Sequence, residues 1–469
     1  MIPIFLLLCL LPAFFFWRKE KYTYSIAIIV FIGFLLRLWC AADPMLHAWD
    51  ERYHALVAKH LGDHFLKPTL YENPVLPYDY KSWASNHIWL HKQPLALWLI
   101  AISIKMLGNT ILAVRLPSIL LSTLCILLTY DIAQKWYNKQ VAVISAFLFS
   151  INGLLIELAT SRTNTDHIDT CFIAFILLAI WLMVYALKNG RFYFHFLIGL
   201  CMGLAILTKW LPALIVLPVW MILFIPGSKR ESRGWVFPFF TIVMVAALVS
   251  LPWQYYIQAH YPAEASWESE YNKMHFFHAL ETHEGPWYYH LEILRISYGE
   301  LVYIPVAWFS YRTIKRKQKY DLALFAWLWI PLLFFTVAAT KMPAYTSITA
   351  PAIFIMTALF FQETVRWIKE YPRYRFILRL TAVALLLLPV RYAVERIKPF
   401  ADNADDLRDY AKMLSVKDKI DINGKTVVFN APRAIEWMYH YNCTAYEHIP
   451  ATQTIDSLKS NGYKVLILE

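Results

Sequence analysis

Long apolar runs separated by short polar loops dominate this chain. The runs are about 15–20 residues long and recur along most of the 469 residues. About 20 apolar residues in a helix are enough to cross the hydrocarbon core of a bilayer. The pattern therefore predicts an all-α polytopic membrane protein with about 11–13 transmembrane helices. Residues 1–16 are expected to form a short first span, because their positive charges follow the apolar stretch instead of preceding it.

The last seventy or so residues follow a different pattern. KTVVFNA, CTAYEHI and KVLILE are typical of short strands, and PRAIEWMYHY and TIDSLKSNGY between them are typical of helices. We therefore expect a transmembrane domain over residues 1–395 and a small soluble α/β domain over residues 400–469. No Gly-rich phosphate loop is present in this tail, so no nucleotide cofactor is expected.

Basic loops predict which segments share a side of the membrane. If Pro94–Leu107 is a juxtamembrane helix, every basic loop falls on one side, which the positive-inside rule makes cytoplasmic. The two long loops (41–110 and 254–297) and the tail then lie on the external face. The basic loops are KWYNK, KNGR, SKRESR, RTIKRKQK and RWIKEYPRYR.

Composition agrees with this topology. Hydrophobic residues make up 59% of the chain and charged residues 16%, and the net charge is +11. Because Lys and Arg collect in the loops between apolar runs, the excess charge does not indicate nucleic-acid binding. Five of the six cysteines lie within or beside apolar runs, at no metal or disulfide spacing.

Asp50 and Glu51, in the motif HAWDERYH, are the most informative polar residues. They follow an apolar run and begin the first long external loop. A carboxylate at the mouth of the membrane loses hydration, which costs free energy unless the site uses it. Asp50 could cap the helix that RYHALVAKHL begins. It could also be a general base within hydrogen-bond reach of an acceptor hydroxyl. The two roles are compatible.

Four residues on the same face could bind a phosphate. Lys92, in HIWLHKQPLALWL, is either an ordinary snorkelling lysine or the partner of a lipid phosphate. Arg115 opens an apolar run and is either an anchor or a phosphate ligand. Lys341 and Tyr345 are four residues apart in TKMPAY. An ammonium and a phenol together suit a phosphate, although Tyr is also a routine interfacial anchor.

Further acids and histidines lie in other external segments. Asp166 is four residues after Arg162, so it either forms an internal salt bridge or lines a functional site. The 254–297 loop contains several His and Glu residues. It has no HExxH motif and no tight spacing, so the metal signal is weak.

The order of the short motifs resembles a known class of membrane enzymes. WDE, H-K-x-P, R-L-P-S, R-x-x-x-D, L-T-K, P-W-Y-Y and T-K-x-P-x-Y follow one another over about residues 40–360. This order resembles the GT-C class of polyprenyl-phosphate-sugar-dependent glycosyltransferases. Within it, the protein O-mannosyltransferases and the lipid A aminoarabinose transferases are the most similar. The small tail resembles the domain appended in the aminoarabinose branch.

The resemblance implies a GT-C-like fold and a membrane glycosyltransferase. Such an enzyme moves a sugar from a polyprenyl-phosphate donor to an acceptor hydroxyl or phosphate. The acceptor would be protein Ser/Thr, lipid A or another envelope glycan. The implied location is the bacterial inner (plasma) membrane, among membrane lipids, with the site on the extracytoplasmic face.

The resemblance also implies residue roles. Asp50 matches the catalytic base and Glu51 its neighbour, and Asp166 matches a second acid that lines the cavity. The residues that match phosphate-gripping positions are Lys92, Arg115 and Tyr345. The implied reaction inverts the anomeric carbon.

A divalent metal such as zinc is the one cofactor that the resemblance suggests. In the aminoarabinose branch a Glu directly before the lysine and a His in the later external loop hold zinc. Here His91 replaces that Glu, and His275 is the expected loop partner, with His278 and His283 as the next choices. This departure leaves the metal site open.

Two alternative functions compete with this interpretation. A transporter or lipid flippase would use buried acids to carry protons and cations to guide an anion. Transporters often contain internal repeats, and no repeat is evident here. An oligosaccharide polymerase or ligase would use the same lipid donor. Transfer from a polyprenyl-phosphate sugar separates the transporter from both enzymes.

Overall fold

A computed structural model describes residues 2–163, 167–225, 234–397, 404–415, 422 and 424–468. Asp166 lies outside the described residues. Helices dominate, as the apolar pattern predicts. The first eleven are α1 (Ile2–Leu8), α2 (Leu11–Arg18), α3 (Tyr22–Cys40), α4 (Asp50–Asp63), α5 (Pro94–Leu107), α6 (Ile111–Trp136), α7 (Lys139–Ile151), α8 (Gly153–Ala159), α9 (His167–Asn189), α10 (Tyr193–Lys209) and α11 (Val216–Phe224).

The second half of the described chain continues in the same way and ends in the only strands described. Its helices are α12 (Val236–His260), α13 (Pro262–Phe277), α14 (Tyr289–Tyr298), α15 (Tyr303–Arg316), α16 (Lys319–Val337), α17 (Ala350–Glu370), α18 (Arg375–Ile397), α19 (Ala404–Ser415), α20 (Ala434–His440) and α21 (Thr452–Ser460). Short 3₁₀ helices are found at Leu211–Ile215, Pro343–Thr349 and Pro372–Tyr374.

Seven of the described helices are long and apolar enough to cross a membrane, or up to eight if α7 and α8 are one bent span. The fold class is confirmed: this is a polytopic, mostly helical membrane protein. The number is lower than the predicted 11–13. Hydropathy alone also counts apolar helices that are too short for a full span. In the described chain these are Ile2–Arg18, Pro94–Leu107, Tyr193–Lys209 and Leu211–Phe224.

The candidate spans differ in how much of their surface the protein covers. In the most apolar 18-residue window of the span that contains α17, 94% of the residues are buried, compared with 22% for the span that contains α18. A helix that is apolar on all sides and buried on all sides lies inside its bundle, whereas an exposed apolar helix faces lipid. The α17 span is therefore a central helix of its bundle.

A bend of 56° separates α7 from α8. Asn152 lies at the break, and its side-chain oxygen accepts a hydrogen bond from the Leu155 backbone N–H at 3.1 Å. Its side-chain nitrogen donates to the Ser297 carbonyl at 2.7 Å. A single Asn thus restarts the helix and fixes its new direction, because it satisfies backbone groups that the bend would otherwise leave unpaired.

The tail forms a small parallel α/β fold, as its pattern predicts. Strands β1 (Thr426–Phe429), β2 (Thr444–Ala445) and β3 (Lys464–Ile467) pair in the order β2-β1-β3, all parallel. Helix α20 connects β1 to β2, and α21 connects β2 to β3. All four residues of β1 are buried, as is usual for the central strand of a parallel sheet.

The chain divides into two compact units. The first contains residues 1–41, 118–256 and 270–398, and the second contains residues 42–117, 257–269 and 399–469. The second unit therefore combines the first long loop, a short piece of the later loop and the tail. The predicted division at residues 395–400 stays a prediction.

Candidate functional site

Helix α4 begins with the acid pair. Asp50 and Glu51 lie in its first turn, where negative charge interacts favourably with the helix dipole. The N-cap residue is Trp49, which has φ 77° and ψ −140° and makes no side-chain capping hydrogen bond. Asp50 is thus the first helical residue and not the cap.

Asp50 faces a cation. Its Oδ2 lies 3.4 Å from the Lys92 Nζ, and both side chains are partly exposed, at 20% and 27%. Lys92 lies two residues before α5, which begins with Pro94 at a position that tolerates proline. The structure thus brings together the predicted base and one predicted phosphate ligand.

Glu51 points into a buried ionic cluster. Its Oε1 accepts from the Arg115 Nε at 2.6 Å, and its Oε2 accepts from the Arg115 Nη2 at 2.9 Å. Its Oε2 also accepts from the His47 backbone N–H at 2.6 Å. Arg115 in turn donates to the carbonyls of Asp43 and Met45. This forked pair holds the 43–51 segment against the start of α6.

The cluster fixes the charge of Glu51. Burial raises the pKa of this carboxyl, but the charges and hydrogen bonds of Arg115 and His47 outweigh burial and bring the pKa to about 2. For His47, burial lowers the pKa, and Glu51 and Asp43 more than compensate, so that it is raised. Glu51 is therefore an anion at any physiological pH, and Arg115 is its counter-ion.

The first compact unit holds a second polar cluster. The Lys209 Nζ makes a very short contact with the Asp169 carboxylate and lies 5.0 Å from the centre of the Tyr345 ring. Lys209 is the lysine of the L-T-K motif, and Tyr345 is a predicted phosphate ligand. A cation, a phenol and a carboxylate thus meet at one place in this unit.

Two further buried residues lie near Tyr345. Lys341 is four residues before it in the sequence, and His290 is close to it in space. The Lys341 ammonium donates to the carbonyls of Phe335, Thr336 and Ala338 at 2.5–3.3 Å, which uses all three of its N–H groups. It closes the end of α16 in this way, and its role in phosphate binding stays a prediction. The His290 ring lies 6.5 Å from the Tyr345 ring, and burial together with the charge of Lys341 lowers its pKa to about 4.

The two predicted metal ligands have other neighbours. His91 stacks on Trp83 with ring centres 4.8 Å apart, and its Nδ1 is 3.5 Å from the Glu268 Oε2. The His275 Nδ1 is 3.2 Å from the Thr340 hydroxyl. Among the described residues no three His, Cys, Asp or Glu side chains are grouped so that they could hold a metal ion. These residues do not fit a zinc site, which needs three or four protein ligands.

Sequence reasoning missed several of these contacts. Arg115 and Glu51 are 64 residues apart, and no periodic pattern connects positions at that separation. His47 and Asp43 also received no role, although His47 lies four residues after Asp43 and four before Glu51 and contacts both carboxylates. Glu268 was one of six glutamates in its loop, with no signal that singled it out.

Comparison with known proteins shows that the chain is similar to transferases named for lipid-linked sugars. Residues 91–256 match the family described as dolichyl-phosphate-mannose-protein mannosyltransferase. An undecaprenyl phosphate-alpha-4-amino-4-deoxy-L-arabinose arabinosyl transferase of Pseudomonas aeruginosa is 26% identical over 70% of this chain and 57% of its own length. One from Pseudomonas fluorescens is 29% identical over 62% and 51%, respectively. The chain spans about half the length of the curated relatives it matches.

Solved structures share the fold. ArnT from Cupriavidus metallidurans bound to undecaprenyl phosphate superposes with a TM-score of 0.62 at 14% identity, covering 96% of this chain and 89% of ArnT. The oligosaccharyltransferase of Archaeoglobus fulgidus in complex with Zn and sulfate gives a TM-score of 0.52 at 14% identity, covering 90% and 62%. At this identity the similarity shows the fold alone. Together with the sequence relatives it confirms the predicted resemblance: the chain has the fold of these GT-C-type proteins and is similar in sequence to polyprenyl-phosphate-sugar transferases.

Proposed function

We propose that this protein transfers a sugar from a polyprenyl-phosphate donor to an acceptor on the extracytoplasmic face of a bacterial inner membrane. The observation that carries the proposal is the contact of 3.4 Å between Asp50 and Lys92. Such a transfer needs a base for the acceptor and a cation for the leaving phosphate, and here they are adjacent. Asp50 begins a helix at the predicted external mouth of the membrane.

The reaction balances with these two residues. The acceptor oxygen forms a bond to the anomeric carbon while Asp50 takes the hydroxyl proton. The bond from that carbon to the phosphate oxygen breaks, and the polyprenyl phosphate leaves with the electron pair. Lys92 stabilises the negative charge that develops on it. A direct displacement of this kind inverts the anomeric carbon. With a phosphate acceptor, no proton has to be removed.

Glu51 and Arg115 support this chemistry indirectly in our proposal. Arg115 donates hydrogen bonds to Glu51 and to backbone carbonyls. In this way it fixes the loop that leads to Asp50. The role of Arg115 as a phosphate ligand, which the resemblance implies, stays a prediction. So do the roles of Tyr345 with the phosphate and of Asp166 in the cavity.

For the donor we propose undecaprenyl phosphate that carries a pentose or hexose. Two observations on related proteins support it: the fold is that of an ArnT bound to undecaprenyl phosphate, and the curated relatives are named for an aminoarabinose linked to this lipid. Lipid A is the acceptor to test first, before proteins and other envelope glycans. Metal plays no part in the proposed steps, because the described residues offer no fitting donor set.

The test is transfer by the purified protein in detergent. Undecaprenyl-phosphate aminoarabinose and lipid A are supplied, and the sugar on lipid A is measured by mass spectrometry. Asp50→Asn is expected to reduce transfer to an acceptor hydroxyl by at least about a hundredfold, since general base catalysis contributes about 10²–10⁴. Transfer to an acceptor phosphate needs no base and is expected to fall less. Asp63→Asn is the matched control, because Asp63 lies at the other end of the same helix in an exposed ion pair with Lys105.

Three results would contradict the proposal. Unchanged transfer to an acceptor hydroxyl by Asp50→Asn would exclude Asp50 as the base. Equal losses in Asp50→Asn and Asp63→Asn would mean that α4 is merely sensitive to charge. Movement of the lipid across vesicle membranes without any product would favour the flippase.

A further inference from the structure

A buried carboxylate connects the tail to the helix that begins with the acid pair. Glu436 lies in the first turn of α20 and is fully buried. Its Oε1 accepts a hydrogen bond from the Arg433 Nε at 2.9 Å, and the Arg52 Nη1 lies 3.7 Å from its Oε2. Arg52 is the residue after Glu51 on α4. One tail carboxylate is therefore hydrogen-bonded to a guanidinium of its own domain and forms an ion pair, without a hydrogen bond, with a guanidinium of the acid-pair helix.

Other contacts fix the same two elements on one another. Arg433 donates to the Leu46 carbonyl at 3.3 Å, in the segment that leads to Asp50. The Lys59 ammonium donates to the carbonyls of Met438 and Tyr439, at 2.8 and 2.9 Å, near the end of α20. Helix α20 is therefore held to the 46–59 region at both of its ends.

The backbone at Arg433 is strained to reach this position. Its φ is +64°, in the left-handed region that side chains other than Gly seldom adopt. Strain of this kind costs about 1–3 kcal/mol and persists only where the surrounding contacts hold it. The Arg433 guanidinium also lies 5.5 Å from the centre of the Tyr410 ring.

A buried cluster of charged side chains costs desolvation free energy, which makes it an unfavourable way to hold a small domain in place. Burial raises the pKa of Glu436, although Arg52 and Arg433 work in the opposite direction. Apolar residues of similar volume in these positions would often stabilise the folded protein as well as the charged residues do, or better. What an ion pair adds is a defined direction, because a carboxylate and a guanidinium meet in few geometries.

We propose that Glu436 is a positioning residue for the acid pair: through Arg52 and Arg433 the tail sets the orientation of the first turn of α4. This inference rests on the proposed function and adds a role for the tail. General base catalysis depends on such orientation, since a displacement of 1 Å can cost two orders of magnitude in rate. The tail is therefore part of the catalytic machinery and not an independent module.

The test compares Glu436→Gln, Arg52→Gln and the double variant in the full-length protein. Each single variant is expected to lower kcat about tenfold, with the KM for the lipid donor within about twofold. The double variant is expected to be no slower than Glu436→Gln alone, because the contact that Arg52→Gln removes is already lost in that variant. Arg52→Lys should recover part of the rate. Asp63→Asn, at the far end of α4, is the control and should leave kcat unchanged.

Hydrogen exchange of the backbone at residues 46–54 gives a second readout that needs no transfer. Glu436→Gln should accelerate exchange there by at least about threefold, while the melting temperature stays within a few degrees. Should Glu436→Gln fail to fold, Arg52→Gln and Arg52→Lys carry both readouts. If Glu436→Gln exchanges faster but the wild type transfers no sugar, the proposed function is wrong and the positioning contact is still supported. Wild-type kcat and wild-type exchange in folded Arg52→Gln would overturn the inference.

Discussion

Adjacent residues at the start of α4 have opposite environments. Asp50 is partly exposed and meets one cation, whereas Glu51 is buried against Arg115 and His47. Successive residues on a helix point about 100° apart, so that neighbours in sequence enter different surroundings. In our proposal this separation gives the acid pair one reactive member, Asp50, and one structural member, Glu51, and the structural role can be tested by pH.

We predict that Glu51 makes the stability of the protein sensitive to acid. Its pKa of about 2 in the folded state lies below the ordinary value of 4.5. The stabilisation is therefore fully present above pH 4.5 and is lost as the pH falls towards 2. The difference in unfolding free energy between wild type and Glu51→Gln should shrink by about 2 kcal/mol between pH 6 and pH 3.

Denaturant unfolding in detergent at a series of pH values measures this difference. Asp456→Asn, which removes an exposed carboxylate on the tail, is the control and should show no such change. A constant gap between wild type and Glu51→Gln over the whole range would mean that Glu51 does not have this low pKa.

Trp49 carries backbone strain directly before the acid pair. Its φ of 77° suits Gly, yet the residue is Trp with an indole that is 62% exposed. Trp49→Gly is expected to raise the stability by about 1 kcal/mol, because relief of strain exceeds the extra entropy that Gly loses on folding. Trp49→Ala removes the same indole and keeps the strain, so it should give no gain. Thermal unfolding of both variants shows whether relief of backbone strain or loss of the indole changes the stability. Equal stability of the two variants would argue against backbone strain.

At the scale of elements, two glycines let α10 approach α12. Gly199 and Gly203 are four residues apart on α10, a spacing that allows close packing of membrane helices. A Cβ on Gly199 would lie 2.7 Å from the Ile242 carbonyl oxygen, and one on Gly203 would lie 2.7 Å from the Val249 Cβ. The first contact is with backbone, which cannot rotate away.

Gly199→Ala is therefore expected to destabilise the protein by about 1–3 kcal/mol through overpacking. This loss occurs even though Ala favours a helix over Gly by about 1 kcal/mol. Gly234→Ala is the matched control, since no atom lies within 4 Å of the added Cβ. The midpoint of thermal unfolding in detergent measures both. A more stable Gly199→Ala protein would show that α10 and α12 have room to separate.

Elements were easier to predict than contacts. The helical bundle, the α/β tail and the helix Pro94–Leu107 follow from apolar periodicity and turn residues, which are local properties. The pairing of Asp50 with Lys92 depends on how the thirty-residue loop between α4 and α5 folds back, and local patterns do not encode it. The family resemblance assigned both Asp50 and Lys92 to the functional site, which the local pattern alone did not. It gave no indication of Glu436, because the tail carries no motif.

At the scale of the whole molecule, the basic loops predict that the tail and the acid pair share the external face. Ser460 in the tail and Lys317 after α15 are both exposed, so each can be changed to cysteine for labelling in intact cells. A maleimide that does not cross the inner membrane should label Ser460→Cys and leave Lys317→Cys unlabelled until the cells are opened. The opposite pattern would place the proposed site in the cytoplasm, where an external acceptor cannot reach it.

The forked contact between Glu51 and Arg115 limits how the motif HAWDERYH can be reused. Arg115 is 64 residues further along the chain, on α6. A designer who grafts the octapeptide alone onto another scaffold would import a buried carboxylate without its counter-ion, at a penalty of about 3–5 kcal/mol. The unit that would have to be transferred is thus larger than the motif: it runs from the segment at residue 43 to the start of α6.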